Sequence, residues 1–256
     1  MMDAHATAEA VALLVGARRT GKKPESLPES CRPRTVDEAH AIQDAVAVAL
    51  EEGVAGWKVA TTPEGHVVHG GLLRSRLAKS GATLPSSQTP LLGVEAEIAF
   101  RFDRALPPRA TEYSYDEVAS AVTAFPAIEI VDSRYSTYPK TPLLDRVADF
   151  HSNGAFVQGE PLDNWRDLDL VNLEVELVID GQSVVRKIGG HASKDPLLPA
   201  VSLANDLRLH GGIAAGQLVT TGTYTGLVFA KPGQRVQATF HGVGSVSVQF
   251  DRGKEP

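Results

Sequence analysis

Residues 94 to 100 read Val-Glu-Ala-Glu-Ile-Ala-Phe, with apolar side chains at 94, 96, 98 and 100 and acids at 95 and 97. In a strand, side chains two positions apart leave the same face. The stretch therefore predicts one buried apolar face and, on the other, Glu95 and Glu97 side by side. Such a pair repels, and each carboxylate raises the pKa of the other unless solvent or a cation lies between them. A third acid, Glu129, interrupts the apolar run Pro126 to Val131. An acid buried in a strand of that kind needs a partner. Three carboxylates suit a hard divalent cation with oxygen ligands and open water positions, Mg²⁺ or Mn²⁺. The spacing is not unique, because Glu174 and Glu176 repeat it in Leu173 to Ile179. That second strand runs into Asp180-Gly181, a hairpin signal, and a hairpin with one polar face is ordinarily solvated.

Two further stretches hold residues able to do chemistry. Lys58 sits inside Gly56-Trp-Lys-Val-Ala60, either as an edge residue reaching for water or as a buried ammonium facing a site. Thr221-Gly-Thr-Tyr-Thr-Gly226 offers hydroxyls and backbone N–H groups to an anion such as a carboxylate, or is an ordinary tight turn. The single cysteine, Cys31, permits no internal disulfide and suits a reducing cytoplasm. There is no GxGxxG, P-loop, GxSxG or HExxH pattern, so the sequence carries no sign of nucleotide binding, a serine nucleophile or a zinc site.

The elements that must position these residues follow from periodicity. Residues 4 to 18 and 36 to about 52 predict amphipathic helices, the second opened by the capping box Thr35-Val-Asp-Glu38 and closed by Gly53. A short strand over 56–60 precedes 63–90, which reads as loop and turn material and as a lid. After the Glu95 strand, Ser114-Tyr-Asp-Glu117 opens a helix that leads to the Glu129 strand. Strands over 154–159 and 173–188, a helix over 197–209, a strand from 218 and a closing hairpin over 235–250 complete the chain. A small helical and α/β part over 1–85 followed by a β-rich catalytic domain over 86–256 is the expected organisation. With 256 residues, 43% hydrophobic, a full core is within reach, and a net charge of −6 argues against nucleic acid or an anionic membrane as partner. No apolar run is long enough for a membrane span, and the first residues do not read as a signal peptide.

Several segments together resemble one family. Gly56-Trp-Lys-Val-Ala, Gly93-Val-Glu-Ala-Glu-Ile-Ala-Phe, Pro126-Ala-Ile-Glu-Ile-Val-Asp-Ser-Arg134, Thr221-Gly-Thr-Tyr-Thr-Gly and Gly242 to Phe250 are similar, in this order, to the 2-keto-4-pentenoate hydratase and 4-oxalocrotonate decarboxylase group of the fumarylacetoacetate hydrolase superfamily. The resemblance implies an α+β fold, a mixed and strongly curved β-sheet roll with a smaller N-terminal part. It implies Mg²⁺ or Mn²⁺ held by Glu95, Glu97 and Glu129, with Lys58 as the catalytic lysine and Thr223 as the hydroxyl that holds a substrate carboxylate. Asp149 and Ser152 match a polar segment lining the site. The implied substrate is a small oxo acid, and the implied reaction passes through a metal-stabilised enolate. Hydration, decarboxylation and carbon–carbon hydrolysis all share that enolate, and the fold does not choose among them. A cytoplasmic homo-oligomer is implied, with room for a complex with a related decarboxylase.

The sequence also departs from the family. Where the hydratases carry an aspartate for proton transfer, Val67 to Arg76 has no acid. His69 is the expected substitute as acid or base. Arg74 and Arg76 would instead grip a second carboxylate of a dicarboxylate substrate. The family's Asp-Asn pair stands here as Asp149-Phe150, and its glycine after Lys-Val as Ala60. A hydratase is the leading reading. A decarboxylase or acylpyruvate-type hydrolase is its enzymatic alternative, and a non-catalytic oxo-acid-binding or partner subunit is the alternative from another class.

Overall fold

The computed structural model describes residues 2–62 and 65–253. Two helices open the chain, each started by a side chain that satisfies its first turn. Asp3 accepts from the Ala6 N–H at the head of α1 (Ala4–Thr20), and Gly21, at φ 73°, closes it. Thr35 accepts from the Glu38 N–H at the head of α2 (Val36–Ala49), while Glu38 reaches back to the Arg34 N–H. Helix α2 ends ahead of the expected Glu52, and Glu51 rather than Gly53 takes the left-handed turn, at φ 58°.

Strands β1 (Val54–Thr61) and β2 (Val67–Leu73) pair antiparallel. Strand β2 corrects the expectation of a continuous loop over 63–90; positions 63 and 64 lie outside the described residues. Glycines weaken a strand signal, but here packing demands one. A Cβ on Gly70 would lie 2.2 Å from the Phe150 carbonyl oxygen. Then come β3 (Leu77–Lys79), β4 (Thr83–Leu84), β5 (Gly93–Phe102), α3 (Tyr115–Ala121), β6 (Val122–Val131), α4 (Leu143–Ala148) and β7 (Asn153–Gln158). Both halves of the expected capping box at Ser114 and Glu117 are present. Strands β8 (Glu174–Ile179) and β9 (Gln182–Ile188) turn about Asp180 and Gly181, at φ 48° and 79°, as a primed hairpin turn requires. The chain closes with α5 (Leu197–Leu207), β10 (Leu218–Thr223), β11 (Val228–Phe229), β12 (Arg235–Phe240) and β13 (Gly244–Phe250).

The larger sheet runs β2-β1-β10-β5-β6-β7-β3, with β11 also paired to β5; the smaller runs β4-β13-β12-β8-β9. The sheets are mixed, with β1 parallel to β10, β3 to β7 and β4 to β13. Strands β12 and β13 pack over β6. The core between the sheets includes Val94, Ile98, Phe100, Ile128, Val175, Val236, Phe240 and Val248, all buried. Each large apolar side chain there contributes roughly 2 kcal/mol by leaving water. A second cluster joins Leu14 of α1, Ile42 and Val46 of α2 and Val147 of α4 to Val68 and Phe150. The fold is the α+β curled sheet that the sequence led us to expect, with a helical N-terminal part. Its larger sheet draws β1, β2 and β3 from before residue 85 and the other strands from after it.

The tight seat of Gly70 makes a prediction. Gly70→Ala should lower stability by at least about 1–3 kcal/mol through overpacking, read as a fall in Tm. An unchanged Tm would mean that residues 150–152 do not rest on β2.

Candidate active site

The strand register explains why the acids meet. Glu95 lies directly opposite Glu129 in the β5–β6 pair. Glu97 lies opposite Thr223 of β10, and Lys58 of β1 opposite Thr220 of β10. All three acids and Lys58 leave the same face of the larger sheet, while Val94, Ala96 and Ile98 enter the core on the other. One carboxylate oxygen from each of Glu95, Glu97 and Glu129 lies within 4.8 Å of the other two; among the described residues no other set of three acids, histidines or cysteines comes so close. Glu97 and Glu129 are buried, Glu95 partly so.

The donors around these acids come from three strands, β1, β7 and β10. Glu97 Oε2 accepts from the Thr220 hydroxyl and, at 3.1 Å, from the Gly222 N–H. Glu129 Oε1 accepts from Asn153 Nδ2 at 3.0 Å and lies 3.0 Å from Lys58 Nζ. The same ammonium is 3.8 Å from Glu95. Glu129 Oε2 is buried and, among the described residues, has no hydrogen-bond partner. Burial pushes the Glu97 carboxyl up to about 8, helped by the charges of Glu129 and Glu95. Burial also raises Glu95, against the pull of Lys58. Burial alone would lower the Lys58 ammonium, but Glu129, Glu95 and Glu97 outweigh it and hold it raised. Three acids against one ammonium, with an orphaned oxygen among them, is a donor set that fits a hard divalent cation.

The structure brings only some of the other expected residues to this cluster. Ser152 is buried with an unpartnered hydroxyl, in the segment that leads to Asn153. Thr223 lies beside Glu97, but its oxygen accepts from the backbone N–H groups of Thr225 and Gly226 and so holds its own turn. Asp149 is fully buried and saturated. It accepts from Arg134 Nε at 2.8 Å, the Arg134 N–H at 2.9 Å and Arg18 Nη2 at 2.9 Å. Its carboxylate therefore ties α1 to the loop after β6 and offers no oxygen to a substrate.

His69 is not at the cluster. It pairs with Val59, whose side chain enters the core, whereas Lys58 pairs with Gly70. One residue of register thus puts His69 on the opposite sheet face. There it stacks on His40, with centroids 3.7 Å apart, in a groove of about 410 Å³ that Trp57, Asp206 and His210 also line. Burial, with His40 and His210 nearby, pushes its imidazole down to about 3. Arg74 is exposed in the turn after β2 and packs beside Gly53, and Arg76 donates to Gln88 at 2.8 Å. Glu174 pairs with exposed Arg186 at 2.7 Å, the solvated hairpin face expected of it.

Sequence reasoning missed Asn153, Thr220 and His151. The first two are identifiable only once the register is known. His151 had a signal, a histidine in the polar segment 149–153. Its Cβ lies 2.8 Å from where a Cβ on Gly70 would be, so it overhangs the residue paired with Lys58.

No protein-family model matches the chain. Among curated proteins it is 31% identical to the 2-keto-4-pentenoate hydratase of Paraburkholderia xenovorans (strain LB400), over 95% of this chain and 94% of that protein. It is 30% identical to the 4-oxalocrotonate decarboxylase of Pseudomonas putida, over 79% of this chain and 77% of that protein. Among solved structures it is similar to the 4-oxalocrotonate decarboxylase from Pseudomonas putida G7 complexed with magnesium and adipate. That match has a TM-score of 0.82 at 24% identity and covers 96% of this chain and 97% of the other. A fumarylpyruvate hydrolase from Pseudomonas aeruginosa in complex with Mn²⁺ and pyruvate shares the fold at a TM-score of 0.55 and 16% identity, over 76% of this chain and 88% of the other.

The Glu97 carboxyl titrates near 8 when folded, against its ordinary 4.5. Because the folded value is the raised one, its contribution to stability is complete below pH 4.5 and is lost as pH rises through 8. The Tm of the metal-free protein should carry this loss between about pH 5 and 8, and Glu97→Gln should flatten it, by differential scanning fluorimetry with chelator present. Matching slopes in the two proteins would refute the assignment. Asp149→Asn leaves Arg18 and Arg134 short of a buried counter-charge and should cost roughly 3–5 kcal/mol; a urea melt within 1 kcal/mol of wild type would contradict that role.

Proposed function

The chain belongs to the 2-keto-4-pentenoate hydratase and 4-oxalocrotonate decarboxylase family of the fumarylacetoacetate hydrolase superfamily, and from that premise we propose that it is a lyase adding water to a 2-hydroxydienoic or 2-oxo acid at the Glu95–Glu97–Glu129 cluster. The observation that carries this reading is the convergence of three acids from β5 and β6 on one buried face, with the Lys58 ammonium beside them. Glu95, Glu97 and Glu129 would hold Mg²⁺ or Mn²⁺. A cation bound there supplies Lewis acidity to the carboxylate and 2-oxo oxygens of the substrate.

The chain's own residues do the rest. Asn153 and Lys58 fix Glu129 Oε1, leaving Oε2 free to turn to a ligand. Thr220 and the Gly222 N–H fix Glu97. Lys58 Nζ holds a proton beside the substrate's oxygens, where it neutralises charge that develops on them. Ser152 offers its free hydroxyl to a substrate oxygen. Thr223, through the turn it holds, keeps the Gly222 N–H in place. Arg74 takes no part in this scheme.

Decarboxylation of a vinylogous oxo acid needs the same placement of Lys58 and the acids, so the choice of reaction rests on the hydratase relatives that match nearly the full length of the chain. Assembly as a homo-oligomer is part of the proposal, and Ile188 at 70% and Phe229 at 55% exposure are apolar side chains that an interface would cover. A cytoplasmic location is part of the same proposal and suits the single, unpaired Cys31.

The test is turnover of 2-hydroxypenta-2,4-dienoate against 4-oxalocrotonate, with Mg²⁺ and Mn²⁺, in wild type and a Glu95→Ala/Glu97→Ala double mutant. Hydration should dominate, and the double mutant should lose at least roughly a hundredfold in rate, together with calorimetric binding of Mn²⁺. Carbon dioxide release as the faster reaction would favour the decarboxylase. Metal binding unchanged in the double mutant would sink the site.

A further inference from the structure

We infer that His151 is the acid/base group that works opposite Lys58, taking the place of the aspartate that the 67–76 segment lacks. The inference rests on the hydratase reading above and assigns its proton-transfer step.

Position is the first argument. Phe150, His151 and Ser152 are consecutive non-glycine residues at φ 53°, 49° and 60°. Left-handed backbone costs a residue with a side chain roughly 1–2 kcal/mol, so a run of three persists only where its surroundings hold it. Here Ser152 N–H bonds to the Asp149 carbonyl and the Asp132 N–H bonds to the Ser152 carbonyl, at 3.1 and 3.0 Å. The saturated Asp149 carboxylate anchors the segment's start. At its far end Asn153 is bonded to Glu129. The segment therefore crosses the face that carries Lys58 and the acids, with His151 over Gly70, the cross-strand partner of Lys58.

Vacant hydrogen-bonding capacity is the second. His151 is 9% exposed and, among the described residues, its Nδ1 has no hydrogen-bond partner; neither do the buried Ser152 Oγ and Glu129 Oε2, the latter on the acid whose other oxygen Asn153 holds. Unpaired buried polar atoms are rare in folded proteins, and two on adjacent residues, with a third on the acid that Asn153 holds, mark a place built to receive a polar ligand. The charged and titratable groups that act on His151 are Lys58, Arg146, His40 and His69. Burial first, then the positive charges of Lys58 and Arg146, keep its imidazole neutral. A neutral imidazole can accept a proton, whereas the Lys58 ammonium, bonded to Glu129, is already a donor.

The substrate is the conjugated 2-oxo acid with a C3=C4 double bond. His151 takes a proton from water as the water oxygen bonds to C4, and the C3=C4 electron pair moves toward the 2-oxo oxygen. The pair returns to form a C–H bond at C3 with the proton His151 has taken. Hydroxyl ends on C4 and hydrogen on C3, and the imidazole is regenerated.

His151→Asn is the variant of choice, because asparagine tolerates left-handed backbone but is no base. Hydration should fall roughly 10²- to 10⁴-fold, while Mn²⁺-dependent affinity for oxalate stays within about threefold and Tm holds. His69→Ala should keep its rate within threefold. In Mg²⁺-loaded protein with ¹⁵N-labelled histidine rings, oxalate should shift one Nδ1 resonance, the one missing from His151→Asn. A His151→Asn enzyme that hydrates within threefold of wild type, or a ring resonance that oxalate leaves unmoved, overturns the inference and leaves the hydratase reading standing. If wild type binds oxalate with Mn²⁺ but does not hydrate the dienoate, the hydratase reading fails. Exchange of the C3 protons of 2-oxobutanoate for deuterium then decides the role of His151: exchange lost in His151→Asn supports it, and exchange retained overturns it.

Discussion

Mutual repulsion among Glu95, Glu97 and Glu129 is the constraint around which the larger sheet is arranged. Two unit charges about 5 Å apart at an effective dielectric of 20 oppose each other by roughly 3 kcal/mol, and here three acids share one face with a single ammonium. The cluster holds because each buried acid is gripped by donors from strands other than its own. Strand β10 lies between β1 and β5, so its Thr220 hydroxyl and the Gly222 N–H reach Glu97. Strand β1 brings Lys58 to Glu129 from one side, and β7 brings Asn153 from the other. The mixed strand order thus delivers a counter-charge and neutral donors to one spot.

A second set of charges serves the first from a distance. Asp149 is surrounded by Arg134 and Arg18, and Arg134 also meets Asp132 at 3.1 Å. A buried pair of this kind adds little net stability but is costly to break, so its effect is to fix position. It pins the start of a strained turn whose other end is bonded to Glu129. Arg18 belongs to α1, so the N-terminal helix bears on the geometry of a site it never enters.

Much of this was legible in the residues alone. Alternation of acids and apolar residues over 94–100 identified β5 and its polar face, the capping sequences placed α2 and α3, and Asp180-Gly181 placed the hairpin. Two of the failures share a cause. Strand β2 was concealed by Gly70 and Gly71, which are there because a neighbouring backbone leaves no room for Cβ at Gly70. With β2 unseen, its register against β1 was unknown, and the face on which His69 falls could not be assigned. Asp149 was read as lining the site, but a carboxylate that serves arginines and one that serves a substrate look alike until their partners are known. The positive φ values at 150–152 have no sequence signal, since no glycine or asparagine marks them.

The parallel pairing of β1 with β10 has a bearing on how the chain comes to be folded. Lys58 and Thr220 are register partners although most of the polypeptide separates them. Contacts of such separation make for slow folding, because the loop between them must close before any reward is gained. During synthesis β1 emerges long before β10, and until then it has only β2 beside it. The acids of β5 and β6 therefore come together before the strand that supplies Thr220 and Gly222 exists. For that interval the nascent chain presents an acidic, half-paired sheet face with an open strand edge, a form in which a chaperone or a divalent cation has its greatest influence on yield.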